Sequence, residues 1–423
     1  MPEKRYALFA VAVCCVLVAG AALVFGIGGS GTPAAERNLH VALYPGIVDV
    51  NGDDHQRTVA MLTGRFEQQY PGINLTLEIS GKYDTYDLAN IPRVFAPEGP
   101  DLVVVDLTIL GRLVAGGYIR PYTPESPEAA ALLEENLDGV VGPFREMGVA
   151  DGTVYAIPTW LCSEFRFSRT PPSDAPASGY FSGSWTLPEL YLSGYASNYG
   201  DDPALLARAL AAAAENNLDE YTLQGLEASF AEGTDAEGRN RCLNGYYNDS
   251  YPGARDFAEH RTDRYTGFSE TFRIVLLTNP AVADEEIAIQ GAVFGDGTHP
   301  SLAWADGFVL NAHADPSVTA DALRFVAFYN SPETKEFLAF SLDAVNASAR
   351  VPRYLMPASS GFYTLPGAVE DPYYPEFYRI LSGMSAYPVW GIPATADAIF
   401  CNIARALSAD GMDIDAGDCA VAG

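Results

Sequence analysis

The strongest constraint on the fold is a regular alternation of short apolar segments and amphipathic ones in the first third of the chain. Residues 40–44 predict a strand, residues 58–70 have the apolar spacing of a helix, and residues 74–79 alternate as a second strand. Residues 102–105 are continuously apolar and mostly β-branched, as in a buried parallel strand, and a helix is predicted over residues 107–115. Strands and helices in this order predict an α/β fold with a parallel sheet.

The same kinds of element recur along the rest of the chain. Residues 292–294 and 302–304 predict strands that return to a sheet. Because parallel-strand patterns lie both before Asp106 and after Ala292, we expect two α/β lobes that flank a cleft. A loop rich in Pro, Ser and Gly is predicted over residues 168–184. Further helices are predicted over residues 187–195, 203–217, 270–277, 320–329, 333–341 and 396–407.

An apolar segment near the N-terminus bears on where the chain acts. Residues 6–27 carry no charged side chain, and about 20 such residues span a bilayer as a helix. Lys4 and Arg5 precede this segment, and a stretch rich in small residues follows it, which fits a signal peptide or an uncleaved signal anchor. We therefore expect an N-terminal hydrophobic helix within residues 1–36, the signal or anchor plus a linker. Residues 37–423 are then extracytoplasmic, either secreted or membrane-anchored.

The net charge limits the partners of the protein. The chain has 54 acidic and 25 basic side chains, a formal charge of -29. Such a field repels nucleic acid and anionic membrane surfaces. No nucleic-acid partner is therefore expected, and the N-terminal helix is the only expected membrane contact. The charge attracts a cationic small molecule or simply keeps a secreted protein soluble, and both interpretations stay open.

The histidines and cysteines indicate no metal site. The five histidines are scattered without ligand spacing, and the chain has neither a zinc pattern nor a glycine-rich phosphate loop. Neither a metal nor an organic cofactor is expected. Beyond the N-terminal segment, Cys401 and Cys419 could close a C-terminal loop by a disulfide, whereas Cys162 and Cys242 are either paired or free.

Three residues at predicted element boundaries carry reactive groups. Cys162 lies at a bend between two extended segments, where a thiol is either a nucleophile or a small buried hydrophobe. Asp106 ends a predicted strand and either caps the following helix or binds a ligand. Glu270 opens a predicted helix, where the macrodipole favours a carboxylate, or it acts as a general base.

Several short motifs give these residues a context. They are HVALYP at 40–45, VD at 105–106, YAIPTWLC at 155–162, GFSE at 267–270, WADG at 304–307 and YLMPA at 354–358. In this order the motifs resemble segments of the type I thiaminases (thiamine pyridinylases), over most of residues 37–423. That family has the two-lobed fold of extracytoplasmic solute-binding proteins. Phe268 and Trp304 stand where the family tends to have tyrosine, which keeps the stacking surface and removes a hydroxyl group.

The resemblance implies a periplasmic-binding-protein-like fold with a ligand cleft, and a transferase that degrades thiamine. It implies Cys162 as the nucleophile and Glu270 as its base. The expected partners are thiamine, which is a cation, and a small nucleophile such as an amine, a thiol or water. Asp106 and Asp306 would bind the aminopyrimidine and balance charge. Flat faces for the heterocycle, or else ordinary core packing, are expected of Tyr44, Tyr247, Phe268 and Trp304.

Two other functions stay open at the level of sequence. A non-catalytic binding protein for thiamine, a related pyrimidine or a sugar needs the same fold and cleft, and a Cys162–Cys242 disulfide would favour it. A membrane-anchored surface protein without a ligand needs only the N-terminal helix and an acidic surface. A free Cys162 thiol that faces the cleft near Glu270 would favour the enzyme.

Overall fold

A computed structural model describes the chain from residue 37 onward, with short gaps. The described residues are 37–44, 46–170, 175–179, 186–243, 250–295, 297, 299–390, 396–412, 414 and 419. The hydrophobic helix predicted over residues 6–27 lies outside them. No helix within these ranges combines the length and the apolar character needed to cross a bilayer.

The described strands form two larger sheets and one small hairpin. They are β1 (Arg37–Leu43), β2 (Ile73–Ile79), β3 (Leu102–Asp106), β4 (Ile119–Arg120), β5 (Val149–Ala150), β6 (Thr153–Val154), β7 (Ala156–Cys162), β8 (Glu164–Arg169), β9 (Ala177–Gly179), β10 (Arg264–Phe268), β11 (Ile287–Gly291), β12 (Trp304–Asn311) and β13 (Met356–Pro357). The described α-helices are α1 (Gln56–Gln69), α2 (Ile91–Val94), α3 (Leu110–Ala115), α4 (Pro127–Asp138), α5 (Thr186–Tyr199), α6 (Pro203–Ala214), α7 (Glu220–Ala231), α8 (Ser250–Ala258), α9 (Thr271–Thr278), α10 (Thr319–Asn330), α11 (Pro332–Ala339), α12 (Pro366–Glu370), α13 (Tyr374–Leu381) and α14 (Ala396–Ala409).

The first sheet has seven described strands in the order β13-β7-β12-β3-β1-β2, with β4 paired to β12. Strand β1 is parallel to both β2 and β3, which confirms the parallel sheet predicted for residues 40–105. Strand β12 runs antiparallel to β3 and β7. Every residue of β3 is buried, in agreement with its continuous apolar sequence.

Helix α1 follows the apolar spacing that the sequence predicts. Leu62 and Phe66 are fully buried. Phe66 packs edge-on against Phe325 and Phe328 of α10, at ring-centroid distances of 5.4 and 5.5 Å. Burial of these rings fastens α1 and α10 to each other in the core of the first sheet.

The second sheet has four described strands in the order β11-β8-β10-β9. Strand β8 is antiparallel to β10 and β11, and only β9 and β10 are parallel. Phe165 and Phe167 of β8 are buried in one aromatic core. Phe167 stacks on Phe272 at 5.1 Å and Phe165 meets Phe377 edge-on at 4.9 Å, so α9 and α13 pack on this sheet.

A single residue, Ser163, separates β7 of the first sheet from β8 of the second. Ser163 is buried, and its hydroxyl group donates to the carbonyl oxygen of Leu302 at 2.9 Å. Leu302 lies on the segment by which the chain returns from β11 to β12. This hydrogen bond joins the connection from β7 to β8 to the connection from β11 to β12. Cys162 is the last residue of the first sheet before the chain enters the second.

Several predicted elements need correction. Residues 292–294 are not a strand, because β11 ends at Gly291. The strand predicted over residues 302–304 begins only at Trp304, the first residue of β12. Ala292, Phe294 and Leu302 are buried on the connection between the sheets, and their core packing explains why such short apolar runs resemble strands. The parallel pattern expected after Ala292 is also wrong, since β11 and β12 pair antiparallel to their neighbours.

Two smaller differences concern loops and helix starts. Strand β9 lies inside the loop predicted over residues 168–184. The helix predicted over residues 107–115 begins as a 3₁₀ turn, Leu107–Ile109, and continues as α3.

At the C-terminus, Cys401 of α14 and Cys419 form a disulfide, whereas Cys162 and Cys242 are free thiols.

Candidate active site

A cavity of about 440 Å³ lies where the carboxyl ends of β1, β3 and β7 face residues that follow the second sheet. On the first-sheet side its wall includes Tyr44 after β1, Asp106 at the end of β3 and Cys162 at the end of β7. On the opposite side it includes Phe268 at the end of β10 and Glu270 just before α9. Ligands of α/β proteins bind beyond the carboxyl ends of the strands, so this cavity is the candidate site.

Strand β12 sets the spacing between four residues of the cavity wall. It lies between β7 and β3, where Trp304 is paired with Cys162 and Asp306 is paired with Asp106. The register shifts between Asp306 and Gly307, as in a β-bulge. Paired residues on neighbouring strands project to the same face. One strand therefore brings a thiol, an indole and two carboxyl groups together.

The Cys162 thiol faces a strongly acidic environment. It is free and only partly exposed. Burial, followed by the charges of Asp306, Glu270 and Asp106, raises the pKa of the Cys162 thiol well above its ordinary value. The thiol is therefore protonated at neutral pH and needs a base before it can act as a nucleophile.

Glu270 has the proton affinity that such a base requires. It is the residue before α9, and its side chain makes no capping hydrogen bond to that helix. Burial raises the pKa of Glu270 to about 7, against opposing hydrogen bonds from its own backbone and from Ser269. A carboxyl group with this pKa accepts and returns a proton near neutral pH.

Asp106 acts as a cap, one of the two roles that the sequence leaves open, and it also lines the cavity. Its Oδ1 accepts a hydrogen bond from the backbone N–H of Thr108 at 2.7 Å, so it caps the turn that follows β3. Its Oδ2 accepts from the hydroxyl group of Tyr86 at 2.9 Å, on the cavity wall. Burial raises the pKa of Asp106, and the bonds from Thr108 and Tyr86 oppose the shift.

The carboxyl group of Asp306 has fewer hydrogen-bond partners within the described ranges than that of Asp106. Its Oδ1 is buried and has no hydrogen-bond partner among the described residues. Burial and the charges of Asp106 and Glu270 raise the pKa of Asp306 well above its ordinary value, while Lys335 opposes them. Lys335 is fully buried against the rings of Trp160 and Tyr329, 3.6 and 4.2 Å from their centroids. An orphaned carboxylate oxygen beside a cavity is an acceptor for a ligand donor.

Aromatic rings form two groups on the cavity wall. Tyr44 and Tyr86 lie with their ring centroids 5.0 Å apart, and Phe268 meets Trp304 edge-on at 5.9 Å. A Cβ atom at Gly46 would lie 2.9 Å from the Tyr44 ring, so the glycine leaves room for that ring. Tyr247, the remaining aromatic residue predicted for the site, lies outside the described residues.

The cavity also contains residues that the sequence did not single out. Glu189, in the first turn of α5, is a buried carboxyl group on its wall, and Glu164 is buried nearby. In the sequence Glu189 is an ordinary first-turn glutamate, and only the apolar character of the rest of α5 sets it apart. Tyr86, Trp160 and Tyr329 also line the cavity. Within the described ranges, no group of three or more His, Cys, Asp or Glu residues could hold a metal ion.

No family model and no curated protein sequence matches this chain. Solved structures do match it. Thiaminase I from Clostridium botulinum, in complex with thiamin, is 18% identical with a TM-score of 0.63 over 88% of this chain and 100% of that one. Thiaminase I from Bacillus thiaminolyticus is 18% identical with a TM-score of 0.62 over 88% and 99%. An ABC transporter solute-binding protein from Thermotoga lettingae, bound with α-D-tagatose, is 15% identical with a TM-score of 0.61 over 88% and 95%.

These likenesses first define a class, the two-lobed fold of the periplasmic solute-binding proteins. Within that class, thiaminase I structures match over nearly their full length. The resemblance recognised in the sequence is therefore confirmed at the level of the fold. At 18% identity the likeness concerns the fold alone, and the activity has to be inferred from the site.

Proposed function

We propose that this protein is a thiaminase-like transferase. It displaces the thiazole from thiamine through a covalent Cys162–pyrimidine intermediate and passes the pyrimidine to a small nucleophile. The proposal rests mainly on one observation, that a free thiol, Cys162, and a carboxyl group of pKa about 7, Glu270, line the same cavity. A nucleophile and a base in one site are what covalent catalysis requires.

The proposed reaction has two halves. Glu270 accepts the proton of the Cys162 thiol, and the thiolate adds to the electron-poor pyrimidine ring. The thiazole leaves with the electrons of its bond to the methylene carbon. In the second half a nucleophile adds to that carbon, the bond between the ring and the Cys162 sulfur breaks, and the thiolate is restored. The division replaces one hard substitution by two easier steps.

The charge of the substrate contributes to the first half. Burial and the surrounding carboxyl groups hold Cys162 in its protonated form. The thiazolium of thiamine would bring a positive charge among those carboxyl groups, oppose their effect and favour the thiolate. Asp106 and Asp306 would accept hydrogen bonds from the aminopyrimidine. Stacking on the heterocycle is assigned to Tyr44, Phe268 and Trp304, with Tyr247 as a further aromatic residue.

The location and the division of the chain belong to the same proposal. Residues 1–36 would be a signal peptide or anchor with a linker, and residues 37–423 a catalytic region with discontinuous lobes outside the cytosol. The charge-free run of residues 6–27 supports this proposal. The Cys401–Cys419 disulfide also supports it, because disulfides persist in oxidising compartments.

A binding protein without catalysis is the second candidate function. It is favoured by the likeness to the tagatose-bound solute-binding protein, whose TM-score of 0.61 nearly equals those of the thiaminases. The cavity would then hold thiamine, a related pyrimidine or a sugar without cleaving a bond. The free state of Cys162 and Cys242 favours the enzyme instead.

Mass spectrometry after incubation with thiamine tests the proposal. The expected result is a covalent pyrimidine adduct on the peptide that contains Cys162, together with loss of thiamine when aniline is present as acceptor. If the protein binds thiamine tightly and never cleaves it, the binding-protein function is the correct one.

The Cys162→Ser variant tests the nucleophile. Pyrimidine transfer should fall by at least about 10³-fold, because a hydroxyl group is a far weaker nucleophile than a thiolate. Thiamine affinity, measured by calorimetry, should be largely retained. Cys242→Ala is the matched control, since it removes the other free thiol, which lies outside the cavity wall. Turnover by Cys162→Ser at the parental rate would disprove the assignment.

A further inference from the structure

One carboxyl group on the cavity wall has no part in the reaction proposed above. Glu189 is 6% exposed and lines the cavity from the first turn of α5. Its carboxyl group makes no hydrogen bond or ion pair with any described residue. Buried carboxyl groups in native proteins are nearly always paired or hydrogen-bonded, so one that faces a cavity without a partner indicates a ligand.

The charges around Glu189 indicate the sign of the charge on that ligand. Burial, followed by the charges of Asp106, Glu164 and Asp306, raises the pKa of Glu189 well above its ordinary value. Lys335 is the cation that acts on Asp306, and it lies against aromatic rings rather than against Glu189. The partner that Glu189 lacks is therefore a cationic ligand. Such a cation would also favour the ionised form of Glu189, as does the N-terminus of α5.

Thiamine brings a single positive charge, and the other cavity carboxyl groups already have assignments. Asp106 and Asp306 are assigned to the aminopyrimidine and Glu270 to the thiol proton. The second substrate must enter while the pyrimidine is still attached to Cys162. A primary amine enters as an ammonium ion, and it must lose a proton before its nitrogen can attack.

We propose that Glu189 is the acceptor subsite, where its carboxylate binds the ammonium group of a primary amine that serves as the second substrate. Glu189 takes one ammonium proton, the freed lone pair forms the bond to the methylene carbon, and the bond to the Cys162 sulfur breaks. The inference rests on the proposed function. It deepens that function by making an amine, rather than a thiol or water, the preferred acceptor.

Acceptor kinetics of Glu189→Gln test this inference. In a two-half reaction, kcat/KM for thiamine reports the first half and kcat/KM for the acceptor reports the second. Benzylamine is the cationic acceptor and 2-mercaptoethanol the neutral one. For Glu189→Gln, kcat/KM for benzylamine should fall about 10- to 100-fold, while the values for thiamine and 2-mercaptoethanol stay within about 2-fold.

The control variant is Glu227→Gln. It removes a carboxyl group whose pKa is also raised, by burial and by Asp410, but which does not line the cavity. All three kinetic values should be unchanged in it, and a thermal melt of each variant reports whether the fold is retained. Equal losses for benzylamine and 2-mercaptoethanol would overturn the inference, because Glu189 would then act on the second half whatever the charge of the acceptor. A loss confined to thiamine would also overturn it, because Glu189 would then contact thiamine itself.

A binding measurement separates the failure of the inference from the failure of the proposed function. If the parent protein does not consume thiamine with any acceptor, the proposed function is wrong. Calorimetric titration of benzylamine into the parent and into Glu189→Gln still decides the role of Glu189. Affinity should fall about 10-fold or more in the variant, and an unchanged affinity would refute the subsite.

Discussion

Two regions of the molecule bury carboxyl groups, and they differ in what neutralises the charge. Asp343 and Arg353 are both fully buried and form two hydrogen-bonded contacts of 2.7 and 2.8 Å. Thr58 donates a third bond to Asp343 at 2.6 Å. Burial alone would raise the pKa of Asp343, but the hydrogen bonds and charge of Arg353 outweigh it and hold that pKa below its ordinary value.

In the cavity, burial prevails. It raises the pKa values of Asp306, Glu189 and Glu270, and none of the three forms an ion pair with a cation in the described part of the chain. Removing one partner from a buried pair destabilises a fold strongly, whereas carboxyl groups buried without a cation weaken it and are typical of functional sites. The comparison therefore separates residues that stabilise the fold from residues available to a substrate.

Glu270→Gln should give the largest effect, and on activity alone. The amide keeps the shape of the side chain but cannot accept the Cys162 proton, so thiamine turnover with aniline should fall about 10²- to 10⁴-fold. The melting temperature should stay the same or rise, because burial disfavours the ionised carboxyl group that the variant lacks. Parental turnover would show that Glu270 is not the base.

Asp343→Asn should affect stability and spare the chemistry. The Arg353 charge would stay buried without its partner, at a cost of about 3–5 kcal/mol in the free energy of unfolding. Chemical denaturation measures this loss, and turnover per folded molecule should be unchanged. Glu376→Gln is the control, since it breaks the exposed pair with Arg379 and should cost less than about 1 kcal/mol. Equal costs for the two variants would contradict the comparison.

Asp106→Asn should separate the observed cap from the role in substrate binding proposed for the same residue. The amide oxygen can still accept from the Thr108 N–H, so the cap and the stability should largely persist. The lost charge should weaken thiamine binding about 10-fold to 100-fold. Calorimetry measures this by comparing the double variant Cys162→Ser/Asp106→Asn with Cys162→Ser alone, so that thiamine is not consumed during the titration. Lower stability with unchanged affinity would leave Asp106 as a cap alone.

The pH dependence of stability tests the same carboxyl groups without any substitution. Burial, with a smaller contribution from Glu270, raises the pKa of Glu164 to about 8, and burial raises that of Glu270 to about 7, against ordinary values of 4.5. Between pH 4.5 and about 8 the folded state therefore binds more protons than the unfolded chain. The free energy of unfolding falls as the pH rises through this range.

Melting experiments without thiamine should follow this trend with a decline of a few degrees. Glu164→Gln should flatten the decline, and a flat profile in the parent would contradict it. Asp343 contributes with the opposite sign, because its pKa is lowered. Its contribution is present above its ordinary pKa of 3.8 and is lost as the pH falls below that value.

Within the first sheet, the sequence predicts the parallel strands β1 and β3 better than the antiparallel strand β12, for a physical reason. Strand β3 is apolar up to its final residue Asp106, β1 ends in the apolar run of residues 41–43, and α1 has a clear apolar face. Strand β12 contains Asp306-Gly307, a pair that is typical of a turn, yet the structure has a bulge there inside the sheet. Local propensity does not predict such a bulge, because pairing on both sides holds it in place.

The residues of the site also differ in how well the sequence predicts them. Cys162, Asp106 and Glu270 stand at element boundaries, where the sequence can be interpreted. Glu189 and Tyr86 belong to an ordinary helix start and to a loop rich in Tyr and Asp. Only the packing of α5 and of that loop against the strand ends brings these two residues to the cavity.

The crossing at Ser163 has a consequence for how a fold of this kind could acquire chemistry. Cys162, Trp304, Asp106 and Asp306 are hydrogen-bonded into the first sheet, whereas Glu270 follows a strand of the second. Any change in the angle between the sheets would alter the distance from the Cys162 thiol to the Glu270 carboxyl group and leave the four first-sheet residues together. An ancestor that merely closed around a ligand would then need only a thiol on one side and a carboxyl group on the other for closure itself to start a reaction.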